Sequence, residues 1–244
     1  MPAYFGQPYE AALRRARRER AERLGGIHVE DMVLGANDGI ITTFAVVAGA
    51  TGGSLSTAVI LILGFANLFA DAVSMGTSNY LGKRSRRDYV DAQREMEEWE
   101  VHHTPEDEKQ EIRDIFQKKG LENGELDTVV DAITQNRSAW VDVMMSMELG
   151  LAESPSSPWK HGMTTAVAFI IAGLVPLIPY LFCSGTVCFG ISAVAAAIML
   201  FTTGALRTLI TGVNWLRGGL EILGVGSAAA LIAYGVGRLI ASIA

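Results

Sequence analysis

"VLGANDGIITTFAVVAGA", residues 33–50, is apolar enough to lie in a membrane, yet it carries Asp38 about a third of the way along. A charged side chain at the centre of a membrane helix costs roughly 2.5 to 3.5 kcal/mol even on the lenient insertion scale. A carboxylate in that place must face protein or water and must have a use.

The rest of the chain supports the membrane reading. Half of its 244 residues are hydrophobic, well toward the membrane class. A spanning helix needs about 20 mostly apolar residues for a hydrocarbon core of about 30 Å. Five stretches qualify: 32–52, 57–81, 163–182, 187–206 and 220–242. Residues 83–160 hold 18 of the 26 acidic groups and 11 of the 20 basic ones, a net charge of −7. The fold class is therefore an all-α membrane protein of five transmembrane helices, with a soluble acidic helical insert between spans two and three. Its divisions are a basic segment 1–30, spans one and two in 31–82, the insert in 83–160, and spans three to five in 161–244.

Lys and Arg set the orientation. The N-terminal run "RRARRERAERLGG" has six arginines, the loop after span two has eleven basic residues, and the loop after span four has Arg207 and Arg217. The turns after spans one and three have none. The N-terminus and insert are thus expected in the cytoplasm and the C-terminus on the far side, with Arg238 as a snorkelling anchor there. No cleavable signal is expected, because the first apolar run is itself of span length. A bacterial cytoplasmic membrane fits the arginine-rich terminus better than a vacuole. The acidity elsewhere argues against nucleic acid as a partner. Cys183 and Cys188, in "CSGTVC", fall at a non-cytoplasmic turn. A disulfide is sterically open to them, but two cysteines in apolar surroundings are more often small hydrophobes.

Span two carries Asn67, Asp71, Ser74, Met75, Ser78 and Asn79, which recur at three and four and form a polar stripe on an apolar helix. At about 1.5 Å per residue, Asp38 and Met75 both lie roughly 10 to 12 Å from the cytoplasmic ends of their spans, so they can face each other. Asp71 is one turn deeper. Two carboxylates and a thioether along one passage suit a divalent transition metal, since sulfur favours softer ions than magnesium or calcium. The plainer alternative is that Met75 packs and Asp38 bonds the backbone of "GANDG", where Gly35 and Gly39 permit close approach or an unwound turn. In span three, Pro176 and Pro179 should kink or end the helix. The small residues of "GVGSAAALIAYGVG" in span five suit close helix packing.

The insert reads as three helices. The first continues from span two to about Val101. The second has Thr104 as N-cap, Pro105 at N1 and Asp107 completing a capping box, and it ends near Gly120. The third runs from about Glu125 to Leu149, with a break near Asn136. Glu97 and Glu100, Glu108 and Glu111, and Met144 and Glu148 each project from one face of a helix. They are either the ligands of a metal site or solvated acidic faces, and spacing does not decide between them. Glu100 and His103 form a lone E-x-x-H; a di-iron oxidase centre needs two.

In "LGANDGI" of span one, "DAVSMG" of span two, the charged helical insert and the five-span layout, the chain resembles the vacuolar iron transporter family from about His28 onward. The resemblance implies a homodimer that exchanges ferrous iron, and other divalent ions less selectively, for protons, with a three-helix cytoplasmic metal-binding insert. It also implies that Asp38 and Met75 are metal-binding positions of a pore at the dimer interface. Glu97, Glu100, Glu108, Glu111, Met144 and Glu148 would be ligands of the insert. The chain departs from the family in "SMGTSNY", where Asn79 replaces a glutamate, and at Asp71, where a small residue is common. The expected function is export of cytosolic Fe²⁺, and of Mn²⁺, Zn²⁺ or Co²⁺ as alternatives, in exchange for protons, with no enzyme activity. The rivals are a membrane-anchored metal-sequestering protein and a ferroxidase. An anchor has no need of the stripe on span two, and a ferroxidase lacks its second E-x-x-H.

Overall fold

The structure, a computed structural model, describes residues 29–151, 156–211 and 214–243. The N-terminal arginine run lies outside the described residues. Every described element is helical. They form two units, one of residues up to Tyr80 and from Ser157 onward, the other Leu81–Ser156.

The first unit is organised on α1, Val29–Gly52. Glu30 and Asp31 in its first turn complement the helix dipole. The helix runs unbroken through Gly35 and Gly39, so these glycines serve close approach and not an unwound turn. A Cβ at Gly35 would strike the carbonyl oxygen of Thr165, and one at Gly39 that of Phe169. Both oxygens belong to α6, Pro158–Leu174. Two small residues four apart let one backbone lie on another. Toward its other end α1 meets α8, Trp215–Ile243, where a Cβ at Gly52 would strike Tyr234 and one at Gly237 would strike Gly49. Ile40, Val47 and Ala48 of α1 are fully buried. Of the small residues of α8, Gly226, Ala230 and Gly237 are packing positions, whereas an added Cβ at Gly224 or Gly235 would meet nothing within 4 Å. Helix α7, Gly185–Thr211, packs on α8 through Gly204 against Gly218.

By length and composition, Val29–Gly52, Thr57–His103, Gly185–Thr208 and Trp215–Ile243 can cross a membrane. The stretch 163–182 differs from expectation. Its helix α6 begins earlier, at Pro158, and stops at Leu174 after 17 residues. Pro176 lacks an N–H and cannot continue the ladder, and the chain resumes as a short 3₁₀ turn, Ile178–Leu181. Ser192 Oγ donates to the Pro176 carbonyl at 2.6 Å, pairing a backbone oxygen that the break frees. Cys183 and Cys188 are joined, with Cα atoms 5.6 Å apart, rather than standing as two free hydrophobes. Gly185 within that turn takes φ +76°, a left-handed conformation that favours glycine.

Helix α2, Thr57–His103, is continuous over 47 residues. Its residues from Leu81 onward belong to the second unit, with α3 (Pro105–Lys118), α4 (Asn123–Thr134) and α5 (Arg137–Val143), which runs on into a π-helical turn, Met144–Glu148. Ile112, Val130, Val141 and Met144 form the heart of their core. Lys109 pairs with Asp131 at 2.8 Å and Arg113 with Asp127 at 2.6 Å, solvent-screened contacts that add little to stability. Pro105 opens α3 as expected, but the capping box of Thr104 and Asp107 does not form. Only Thr104 separates α2 from α3, and its hydroxyl donates back to the Glu100 carbonyl at 3.1 Å, leaving α3 without a side-chain cap. The break near Asn136 is real: its Oδ1 accepts from the Ala139 N–H and starts α5.

Gly39→Ala should destabilise the protein by at least about 2 kcal/mol through a forced shift of backbone against backbone. Gly224→Ala on α8, where an added Cβ meets nothing within 4 Å, should be neutral or stabilising by about 0.5 to 1 kcal/mol. Thermal unfolding in detergent separates the two, and a Gly39→Ala melt matching wild type would contradict the packing described.

Candidate metal path and carboxylate cluster

A short connection, residues 53–56, turns the chain from α1 into α2, so the two run antiparallel. Asn79 Nδ2 of α2 donates to Asp31 Oδ1 of α1 at 2.7 Å, and this bond fixes their register. Moving seven residues inward along α1 from Asp31 brings Asp38 level with Ala72, between Asp71 and Met75. Asp38, Asp71 and Met75 are each half-buried. The Asp71 carboxylate lies within electrostatic reach of Asp38, and its Oδ2 accepts from Asn67 Nδ2 at 2.7 Å. Met75 packs against the apolar core of the unit. The stripe expected on α2 divides: Asn67, Asp71, Met75 and Asn79, each four apart, form the half-buried face, while Ser74 and Ser78 are exposed. Next to Asp38, Asn37 Oδ1 is a buried oxygen with no hydrogen-bond partner among the described residues.

In the other unit, one oxygen each of Glu97, Glu100 and Glu108 lies within 4.8 Å of the others. Glu97 and Glu108 are only 5 % exposed, and Oε2 of each has no partner among the described residues. Burial first, then the charges of Glu111, Glu97, Glu100 and Glu148, pushes the Glu108 carboxyl up to about 7. Glu148 is likewise raised to about 7 by burial and by Glu111 and Glu97, and it shares a hydrogen bond with Glu111. Burial, Glu100 and Glu111 raise Glu97. The five glutamates singled out in the sequence therefore act on one another. They come from α2, α3 and the π turn, in which the Leu149 N–H reaches back to the Met144 carbonyl at 3.2 Å. Met144 opens that turn and is fully buried.

Like charges so confined repel unless protons or a cation are present. Carboxylate oxygens grouped in this way are of the type that accepts divalent ions. His103 does not join these glutamates: its ring stacks on Trp99 with centroids 4.3 Å apart, and its Nδ1 is 2.8 Å from the Trp99 carbonyl. The E-x-x-H spacing is thus no di-iron half-site.

Sequence reasoning overlooked Asp31 and His161. Asp31 is 2 % exposed, and His161 Nδ1 lies 2.6 Å from its Oδ2. The available signal was that Asp31 precedes Asp38 by seven residues, two helical turns, on the same face of α1.

A family model described as the VIT family matches residues 29–238. Among relatives, "Vacuolar iron transporter 1" of Oryza sativa subsp. japonica is 32% identical over 216 residues, covering 87% of this chain and 85% of its own length. "Vacuolar iron transporter" of Toxoplasma gondii is 34% identical over 227 residues, with 87% and 74% covered. "Vacuolar iron transporter 1" of Arabidopsis thaliana is 31% identical over 214 residues, with 87% and 86% covered. The match runs from the first residue of α1 to the last turns of α8, and the chain belongs to the VIT family.

Proposed function

We propose that this protein is a divalent metal transporter and not an enzyme, and that it exports cytosolic Fe²⁺ in exchange for protons. The observation that carries the reading is the group of Glu97, Glu100 and Glu108, with buried Oε2 atoms of Glu97 and Glu108 that have no partner among the described residues. Metal sites need deprotonated ligands held close at a cost that the cation repays. The relatives named as iron transporters support iron as cargo; Mn²⁺, Zn²⁺ and Co²⁺ suit the same ligands.

In this reading five segments cross the membrane, α6 with its 3₁₀ extension being the shortest. The N-terminus and insert lie on the cytoplasmic side, as the loop charges direct, of a bacterial cytoplasmic membrane in preference to a vacuole. Glu97, Glu100, Glu108, Glu111, Glu148 and Met144 gather the ion and raise its local concentration. The ion then passes Asp38, Met75 and Asp71 at a seam between two copies of the chain, where carboxylate and thioether replace part of its water shell. Protons held by the carboxylates leave as the metal arrives and return as it departs, so exchange needs no ATP.

Asp38→Ala should fold and lose metal flux by at least about tenfold; proteoliposomes loaded with a metal-sensing dye measure it, and wild-type flux would remove Asp38 from the path. The insert yields a second test. With Glu108 and Glu148 raised to about 7 from an ordinary 4.5, the metal-free folded state holds more protons than the unfolded chain between those values. Its stability therefore falls as pH rises through that window, and saturating Mn²⁺ should reverse the trend by requiring the ionised ligands. Hydrogen-exchange protection of residues 105–148 in the full chain, corrected for intrinsic rate, should fall between pH 5.5 and 8 without metal. Protection that rises with pH in the metal-free protein would contradict the cluster's coupling.

A further inference from the structure

From Leu81 onward, α2 has two unlike faces. Val90, Glu97 and Val101 are buried, and Arg94 between them pairs with Asp142 of α5. Spaced at four, three and four, this face carries the core of its own unit. Nearly opposite it on the helix, Tyr89, Ala92, Met96, Trp99 and His103 recur at three and four, the interval of a heptad seam. All five are exposed, Tyr89 by 50 %, Met96 by 55 % and Trp99 by 56 %. Between Arg84 and His103 every exposed apolar residue falls on this line, while Asp88, Asp91, Glu95 and Glu98 occupy exposed positions off it. A face meant only for water would carry charge along its whole width. The aromatic side chains of the line are also held in place along the helix. The Arg86 guanidinium lies 5.9 Å from the centre of the Tyr89 ring, and the His103 ring stacks on Trp99 at 4.3 Å. Carried back along the chain at the same interval, the line passes Ser85, Gly82 and Ser78 and reaches Met75.

We propose that Tyr89, Ala92, Met96, Trp99 and His103 form a parallel two-stranded seam with the same residues of a second copy of this chain, so that the inserts pair through α2. This rests on the two-copy reading given above, which sets Met75 at a seam between copies; the exposed line continues the interval that Met75 begins. The partner that fits a three-and-four line of knobs is another helix bearing the same line. Two copies cross one membrane in the same orientation, so a two-fold axis pairs their α2 helices in parallel and each seam residue meets its own counterpart. The line is only two heptads, about 21 Å at the helical rise, too short to hold free chains together. Copies already joined in the membrane pair their inserts at high effective concentration instead. The flanks are acidic, with Asp88 and Glu95 on one side and Gln93 and Glu100 on the other. In a parallel seam Glu95 of one copy opposes Glu100 of the other, which brings a carboxylate of each copy to the edge of the other's glutamate cluster. Like charges there oppose closure until a divalent ion occupies the cluster.

Ala92→Cys tests the seam in the full chain, in proteoliposomes with saturating Mn²⁺. The chain's other cysteines, Cys183 and Cys188, are joined to each other, so the introduced thiol stands alone. A disulfide needs Cα atoms within about 7 Å, so mild oxidation should link two chains at residue 92 with a yield at least about tenfold above that of Glu98→Cys, which is exposed but off the line. Adding Trp99→Glu to Ala92→Cys sets like charges against each other and should lower the yield by at least about tenfold. Equal yields at residues 92 and 98, or a yield indifferent to Trp99→Glu, overturns the proposal. Particle mass in detergent, from light scattering, separates the two readings. A two-chain mass without a disulfide at residue 92 overturns the seam and leaves the two-copy reading standing, whereas the mass of one chain, 26.2 kDa, overturns both. Benzoylphenylalanine in place of Tyr89 names the occupant without oxidation. A photoproduct of two chains supports the seam, and adducts to lipid or to residues 1–28 of the same chain overturn it.

Discussion

The hydrogen bond from Asn79 to Asp31 sets the arrangement on which the membrane unit depends. A carboxylate removed from water demands partners, and leaving one unsatisfied costs more than the bond itself returns. Asp31 obtains its partners from α2 and α6, so three helices can meet only in the register that satisfies it. Counted along the two antiparallel helices, that register puts Asp38 at the height of Ala72, with Asp71 within electrostatic reach. A slip of one residue on α2 would turn Met75 by about 100° from its place against the core.

Packing then decides which face of α1 is available. Its glycines lie on α6 and α8 with backbone against backbone, which closes those sides to lipid and water alike. Asp38 is left half-buried, with Asp71 of α2 within electrostatic reach. The insert solves a different problem. Its glutamates have α2, α3 and a π turn as supports and an apolar core beneath them, so mutual repulsion is held in place by burial elsewhere. Both groups hold carboxylates within electrostatic reach of other carboxylates.

Much of this was legible in the sequence because the signals were local. Apolar runs located four long helices, Pro105 marked the start of α3, Asn136 the break before α5, and Pro176 the end of α6. The spacing of Glu97, Glu100, Glu108, Glu111, Met144 and Glu148 did not decide between a metal site and solvated faces, because periodicity could not say whether the faces converged; the set was implied by the resemblance to the family. What escaped depended on distant partners. Asp31 and His161 are 130 positions apart, and nothing near either residue announces the other. Thr104 looked like an N-cap because the rule assumes a free hydroxyl, whereas the preceding helix had already engaged it. The glycines of "LGANDGI" were compatible with unwinding or close approach, and only the position of α6 distinguished the two. Asn79, read as the loss of a carboxylate, is the donor that holds one.

The central claim is that Asp38 and Met75 hold the cargo ion at a seam in the membrane. Anomalous scattering from crystals of the full chain grown with Mn²⁺ tests it most directly. The account predicts a peak in the membrane unit at about 2 to 2.5 Å from an Asp38 oxygen, with the Met75 sulfur facing it, in addition to density among the insert glutamates. Manganese confined to the insert at saturating concentration, with Asp38 bonded only to protein, would contradict it.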